Sequence, residues 1–173
     1  KLLNHLGIKK PMVSYFEHNK RERGEIICAR IEQGESCAIV TDAGMPAISD
    51  PGEDLVALCA ERGVIVTCVP GCCAVVTALA LSGLATGRFA FEGFLSANKG
   101  ERRKRLEAIK GEGRTVIFYE APHKLLKTLE DMKDIFGAER RISLSRELTK
   151  LNEEVMRLTL SAAVAYYKEI TNN

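Results

Sequence analysis

Residues 41–52, TDAGMPAISDPG, decide how this chain is read. They follow an apolar, β-type run at 36–41 (SCAIVT) and precede a helical pattern at 51–62 that stops at Gly63. In open α/β sheets, ligands bind outside the carboxyl ends of the strands, and a loop of this kind sits there. Gly44 permits a positive φ or a close backbone approach to a ligand. Pro46 and Pro51 stiffen the loop. Asp42 falls where the strand ends and faces the crevice, although an Asx-turn would account for it as well. Asp50 also reads two ways, as a ligand contact or as a helix cap. Asp50-Pro51-Gly52-Glu53 has the order of a capping box, with Asp at the N-cap, Pro at N1 and Glu at N3.

Working outward, helix and strand signals alternate along the 173 residues. Strands are expected at 11–16, 36–41, 64–69, 88–95, 115–119, 140–146 and 153–160. Helices are expected at 20–33, capped by Asn19 and ended by Gly34, and at 51–62, 72–84, 99–110, 122–136 and 161–170. Runs that are apolar throughout suit strands covered on both faces, and strands joined through helices predict a parallel sheet. The fold class is therefore α/β. The pattern breaks at 83–87, which divides the chain into an N-terminal parallel domain (1–86) and a C-terminal mixed-sheet domain (87–173). Residues 1–6 look like the tail of an amphipathic helix with no strand before it, and the chain stops straight after a helix. Both domains are expected to be truncated, and the missing opening strand is expected to leave a sheet edge that is covered by a partner chain or prone to aggregation.

Composition narrows the class. Hydrophobic residues make up 46% and charged residues 28%, which excludes a disordered chain. No apolar run reaches the ~20 residues of a spanning helix, and no secretory signal is visible, so the expected location is cytoplasmic. Six cysteines without a CxxC, and three scattered histidines, read as buried thiols rather than a zinc site. No metal is expected. Residues 1–86 carry 8 basic and 10 acidic side chains, residues 87–173 carry 17 and 13. A basic second half points to an anionic partner.

Three further stretches carry candidate chemistry. VPGCCA at 69–74 offers small residues and a helix N-terminus, where backbone N–H groups meet polar ligands. Glu120 and His123, at a strand end and helix start, are the candidate acid and base. The run at 99–105 gathers Lys99, Arg102, Arg103, Lys104 and Arg105 against a single Glu. That density suits phosphate contact, and Lys124 adds to it.

Five motifs stand in order: TDAGMPAISDPG (41–52), VPGCCAVVTALALSGL (69–84), RFAFEGFLSANKGERRKRL (88–106), TVIFYEAPHKLLKTLED (115–131) and SRELTKLNEEV (145–155). Together they resemble the ribosomal RNA small subunit methyltransferase I family, of the S-adenosylmethionine-dependent tetrapyrrole methylase superfamily. The resemblance implies two α/β domains with the cofactor S-adenosyl-L-methionine in the cleft between them, and usually a homodimer. It also implies methylation of a cytidine 2′-hydroxyl in the RNA of the 30S subunit. The family's cofactor loop falls on Asp42, Gly44, Met45, Pro46, Ser49 and Asp50, and its proline-glycine motif on Pro70-Gly71. Its small residues fall on Cys73 and Ala74, its strand-end motif on Tyr119, Glu120 and His123, and a residue bordering the adenine pocket on Asn152. The chain departs from the family at Cys72-Cys73 (usually Pro-Ser), Lys124 (usually Arg) and Leu158 (commonly Gly). The family's first strand and loop, and its last strand, have no counterpart here. A tetrapyrrole methyltransferase, a non-catalytic RNA-binding module and a metal-dependent phosphate enzyme using Asp42 and Asp50 are the competing readings.

Overall fold

A hydrophobic cluster made of two helices organises the first part of the chain. The computed structural model describes residues 2–172; Lys1, which belongs to the expected opening helix, and Asn173 lie outside them. The chain divides into two compact units, Lys1–Gly71 and Cys72–Asn173. The first holds a single helical turn, α1 (Leu2–His5), and the helices α2 (Lys20–Glu32) and α3 (Glu53–Glu61). Ile27 and Cys28 of α2 pack on Leu55 and Cys59 of α3, with Tyr15, Ile39, Leu58 and Val64 around them. Lys20 pairs with Asp54 at one end of the two helices. Arg62, just past α3, pairs with Glu25 and Glu32 at the other. The two helices therefore run in the same sense.

The three strands expected in this unit do not form. Residues 11–16, 36–41 and 64–69 have no ladder partner among the described residues. Val40 is 69% exposed, and Ile65 and Val69 are each 90% exposed. These β-branched runs carry the apolar signal of strands, but a strand exists only where another lies beside it, and β-propensity is a property of that context. The cap expected at Asn19 is also absent. Its Oδ1 accepts from the Phe16 N–H (2.7 Å) and its Nδ2 donates to Ser14 O (3.3 Å), so the side chain closes the preceding turn instead of the helix.

The second unit is mixed α/β: α4 (Ala74–Leu81), β1 (Phe89–Phe94), α5 (Lys99–Ala108), β2 (Thr115–Tyr119), a 3-10 turn (Pro122–Lys124), α6 (Leu125–Phe136), β3 (Arg141–Arg146), β4 (Glu154–Thr159) and α7 (Leu160–Asn172). β1 and β2 pair in parallel and are linked through α5, as expected of a βαβ unit. β3 and β4 form an antiparallel hairpin with Arg141 opposite Thr159. α6 turns Leu129, Met132 and Ile135 onto Leu160, Ala163 and Val164 of α7, with Leu95 and Leu106 completing the core. α4, which precedes the boundary expected near residue 86, belongs to this unit. Its last carbonyl, Leu81 O, accepts from Nε (3.1 Å) and Nη2 (2.5 Å) of Arg157 on β4. No helix among the described residues is long and apolar enough to cross a membrane.

At the centre of this unit lies Asp131, 3% exposed. Arg102, itself buried, donates to its Oδ2 through Nε (2.8 Å) and Nη2 (2.7 Å). Arg103 donates to its Oδ1 (2.7 Å) and reaches Asp134 as well. Burial alone would raise the Asp131 carboxyl, but the bonds from Arg103 and Arg102 hold it below the usual carboxylate range. Removing one member of a buried pair leaves a charge without a partner. Asp131→Ala is therefore expected to destabilise the protein by about 3–5 kcal/mol in urea unfolding. Lys104→Ala, on the exposed side of the same helix, should leave the midpoint unchanged; equal effects would mean that the pair is not what fixes α5 on α6.

Candidate functional site

The loop at 41–52 is held shut by its own ends. Thr41 Oγ1 donates to Asp50 Oδ2 across 2.5 Å. Between and beyond these residues the backbone enters the left-handed region four times, at Gly44 (φ 79°), Ala47 (φ 64°), Ser49 (φ 56°) and Gly52 (φ 142°). Two of these are not glycine, and a non-glycine residue there stores strain that its surroundings must hold. Asp42, Gly44 and Ser49 are exposed, while Met45, Pro46 and Asp50 are half-buried. The capping box expected at Asp50 is not observed. α3 starts at Glu53 with Gly52 at its N-cap, and Pro51 lies outside the helix. The Asp50 carboxylate is engaged by Thr41 instead, an interaction between residues nine apart that local cap statistics do not see. A Cβ on Gly71 would lie 3.8 Å from Met45 Sδ, so the proline-glycine turn at 70–71 stands beside this loop, as the motifs imply.

In the second unit, Tyr119 gathers several candidate residues. It ends β2, and burial pushes its hydroxyl above the ordinary value of 10. The neighbouring Cys73 adds to that rise, and the Val75 backbone N–H opposes it. Tyr119 thus stands at the N-terminus of α4, where Cys73 is the N-cap residue and its carbonyl receives Thr77 N and Thr77 Oγ1. Ala74, exposed, is the first residue of that helix. Phe91 packs edge-on to Tyr119 at 4.9 Å between ring centroids, and Phe94 lies at 5.4 Å. Strict alternation would put Phe91 and Phe94 on opposite faces. The register shift between Phe91 and Gly93, with Gly93 at φ 62°, restores them to one side. Phe94 is not among the residues that the sequence singles out, and a glycine inside a strand pattern is the signal that could have found it.

The other candidates are dispersed. Glu120 is fully engaged within its own segment: Oε1 accepts from the Ala121 N–H (2.8 Å) and Oε2 from Thr128 Oγ1 (2.6 Å). These bonds tie the end of β2 to α6, which is a capping task rather than that of a free acid or base. His123 is exposed in the 3-10 turn, with no hydrogen-bond partner among the described residues. Asn152 is exposed in the turn between β3 and β4. Among the described residues no three His, Cys, Asp or Glu side chains gather as a metal site, so Asp42 and Asp50 have no companion ligand.

The basic helix is less available than its sequence implies. Arg102 is buried on Asp131, and it also donates to Ser96 O and Ala97 O. Arg103 bridges Asp131 and Asp134, and Arg105 pairs with Glu92 at 2.5 Å. The expectation that Arg102 faces a nucleic acid is corrected by its burial. Lys99 and Lys104 are exposed and Lys124 half-buried, each without an ion-pair partner among the described residues. The pairing is hidden from a local reading because Asp131 lies 29 residues from Arg102.

The profile of the Tetrapyrrole (Corrin/Porphyrin) Methylases matches residues 2–164. The chain is 47% identical over 171 residues to the ribosomal RNA small subunit methyltransferase I of Synechocystis sp., covering 99% of this chain and 61% of that protein. It is 43% identical over 168 residues to the protein of that name from Thermotoga maritima, covering 97% and 75%. Among solved structures, the methyltransferase CobJ superposes with a TM-score of 0.62 at 20% identity, over 89% of this chain and 68% of that one; at that identity the likeness concerns the fold. The chain thus spans between about half and three quarters of the length of its curated relatives.

Gly52 gives a local test of the strained loop. A Cβ there would approach Ile39 Cδ1 to 3.2 Å and Ala47 Cβ to 3.3 Å, at a φ that side chains rarely adopt. Gly52→Ala should destabilise the protein by about 1–3 kcal/mol in thermal or urea unfolding. An unchanged midpoint would show that the loop relaxes freely.

Proposed function

Because this chain belongs to the tetrapyrrole methylases, and within them to the ribosomal RNA small subunit methyltransferase I family, we propose that it takes part in S-adenosylmethionine-dependent methyl transfer to a cytidine 2′-hydroxyl of small-subunit ribosomal RNA. The observation that carries this reading is the 41–52 loop, closed by Thr41 and Asp50 and turned left-handed at Gly44, Ala47 and Ser49. Left-handed turns expose backbone N–H and C=O groups to a ligand without long side chains in the way. An amino-acid and nucleoside cofactor needs donors and acceptors of that kind, with an aromatic or apolar wall. Within the second unit, Tyr119 with Phe91 and Phe94 forms an aromatic surface of that kind beside Cys73 and Ala74. Each unit by itself offers residues that fit part of the group: in the first, Gly44, Met45, Pro46 and Ser49 would hold it at the loop, and in the second, Cys73, Ala74 and Tyr119 are the residues that would meet it.

The bound sulfonium would supply an already activated methyl group. The protein's own task is then alignment of the 2′-oxygen and exclusion of water, which can provide much of the rate. A ribose hydroxyl is a weak acid, so a proton acceptor helps. Glu120 is engaged by Thr128 and the Ala121 N–H, which leaves His123, exposed in the next turn, as the acceptor in this reading. Phosphates are met by Lys99, Lys104 and Lys124, while Arg102 and Arg103 hold the helix that presents them. Target bases are read unstacked, as in sequence-specific RNA recognition generally. The reading carries with it a cytoplasmic homodimer acting on the small ribosomal subunit.

Calorimetric titration with S-adenosylhomocysteine, the product analogue, tests the cofactor assignment. Saturable one-site binding at roughly micromolar affinity (about −8 kcal/mol) is expected. Gly44→Val, at φ 79°, should abolish it with the helical signal intact. A folded chain that binds nothing would instead favour a non-catalytic RNA-binding module. Replacing Lys99 and Lys104 by Glu should weaken RNA binding and flatten its dependence on salt, since the slope falls by about one for each phosphate no longer neutralised. An identical slope would remove this face of α5 from the RNA interface.

A further inference from the structure

Cys28 and Cys59 are absorbed by no part of the reading above, yet they face each other. Their Sγ atoms stand 3.6 Å apart in the core of the first unit. Cys28 is 0% and Cys59 4% exposed. The helices that carry them are pinned on both sides, by Lys20 with Asp54 and by Arg62 with Glu25 and Glu32, so the sulfur separation is set by packing. The other four cysteines differ: Cys37, Cys68 and Cys72 are exposed, Cys73 is half-buried, and none has a sulfur partner among the described residues.

We propose that Cys28 and Cys59 are an oxidisable dithiol, a modification site that takes hydrogen peroxide as oxidant and closes to a disulfide between α2 and α3. A disulfide needs about 2 Å between sulfurs, so the gap has to close by roughly 1.5 Å. In the first step one thiolate attacks a peroxide oxygen: an S–O bond forms, the O–O bond breaks, and hydroxide leaves and becomes water with the proton that thiol released. In the second, the other sulfur attacks the sulfenic sulfur: the S–S bond forms, the S–O bond breaks, and a second water leaves with the remaining thiol proton. Two thiols give up two electrons and one peroxide accepts them. Burial pushes the Cys28 thiol up to about 11, so the thiolate is scarce and the reaction is slower than at the exposed cysteines. The bridge spans residues 31 positions apart and encloses the whole 41–52 loop in a covalent ring. Such a ring restricts the unfolded chain more than the folded one.

A variant with Cys37, Cys68, Cys72 and Cys73 replaced by Ser retains only this pair. It is treated with hydrogen peroxide in native buffer, quenched with catalase, and unfolded in guanidinium with iodoacetamide before intact-mass measurement. The expected product is a monomer about 2 Da lighter than the reduced chain that takes up no alkyl group. Its thermal midpoint should lie several degrees above that of the reduced form and return with dithiothreitol. Two alkylated thiols, a sulfinic acid at either position, or a disulfide between two chains would each overturn the proposal. If circular dichroism shows the variant unfolded, the unsubstituted chain is oxidised in the same way and mapped by peptide mass. A Cys28–Cys59 linked peptide then supports the proposal, and its absence overturns it.

Discussion

A single buried carboxylate, Asp131, sets the geometry of the second unit. With no cation beside it, a charge at that depth would be too costly to keep. With Arg102 and Arg103 on its two oxygens, it fixes α5 against α6 at one angle and one register. Arg102 extends the constraint, because its remaining N–H groups hold Ser96 O and Ala97 O. These carbonyls belong to the turn that leaves β1, so the end of that strand, Phe94 included, rides on the same ion pair. Hydrophobic packing of Leu106, Leu129 and Leu160 supplies the bulk of the cohesion, but it is not directional. The ion pair and its carbonyl bonds choose which packing is adopted.

The first unit solves a similar problem with a different device. Among the described residues, its strained loop is held by a hydroxyl-to-carboxylate bond from Thr41 to Asp50 and by Ile39 packed against Gly52. Strain at Ala47 and Ser49 persists because the loop ends are joined and because α3 starts directly after it. A loop built this way presents backbone rather than side chains. That arrangement suits recognition of a small polar ligand.

How much of this is legible in the sequence depends on how far apart the interacting residues lie. β1, α5, β2, β3 and β4 appear within a residue or two of expectation, and α6 starts three residues late, behind a 3-10 turn, because each carries its own apolar period. The runs at 36–41 and 64–69 carry an equally strong apolar signal, yet the ladder that would make them strands is a relation between segments and is not written in either one. Asp50 is a cap in the local grammar and a loop clasp in three dimensions. Arg102 and Arg103 look like a nucleic-acid face because nothing near them in sequence announces Asp131. The family, by contrast, is legible from five ordered motifs, since motif order is a property of the sequence alone. Of the six cysteines expected as buried thiols, only Cys28 and Cys59 are buried; Cys37, Cys68 and Cys72 are exposed and Cys73 half-buried, because the segments that carry them form, among the described residues, no strand ladder or core helix face that would cover them. The proximity of the buried pair is not written in either segment.

The irregularity at Glu92 and Gly93 makes the length of β1 a fixed quantity. Downstream of it the side chains take their face from the extra residue: Phe94 turns to Tyr119 and Leu95 turns into the core at 7% exposure, while Glu92 itself meets Arg105 of the following helix. Exchanging one residue for another there alters a single pairing. Adding or removing one reverses inside and outside for the rest of the strand, so chemistry at the end of β1 is protected by counting as much as by composition.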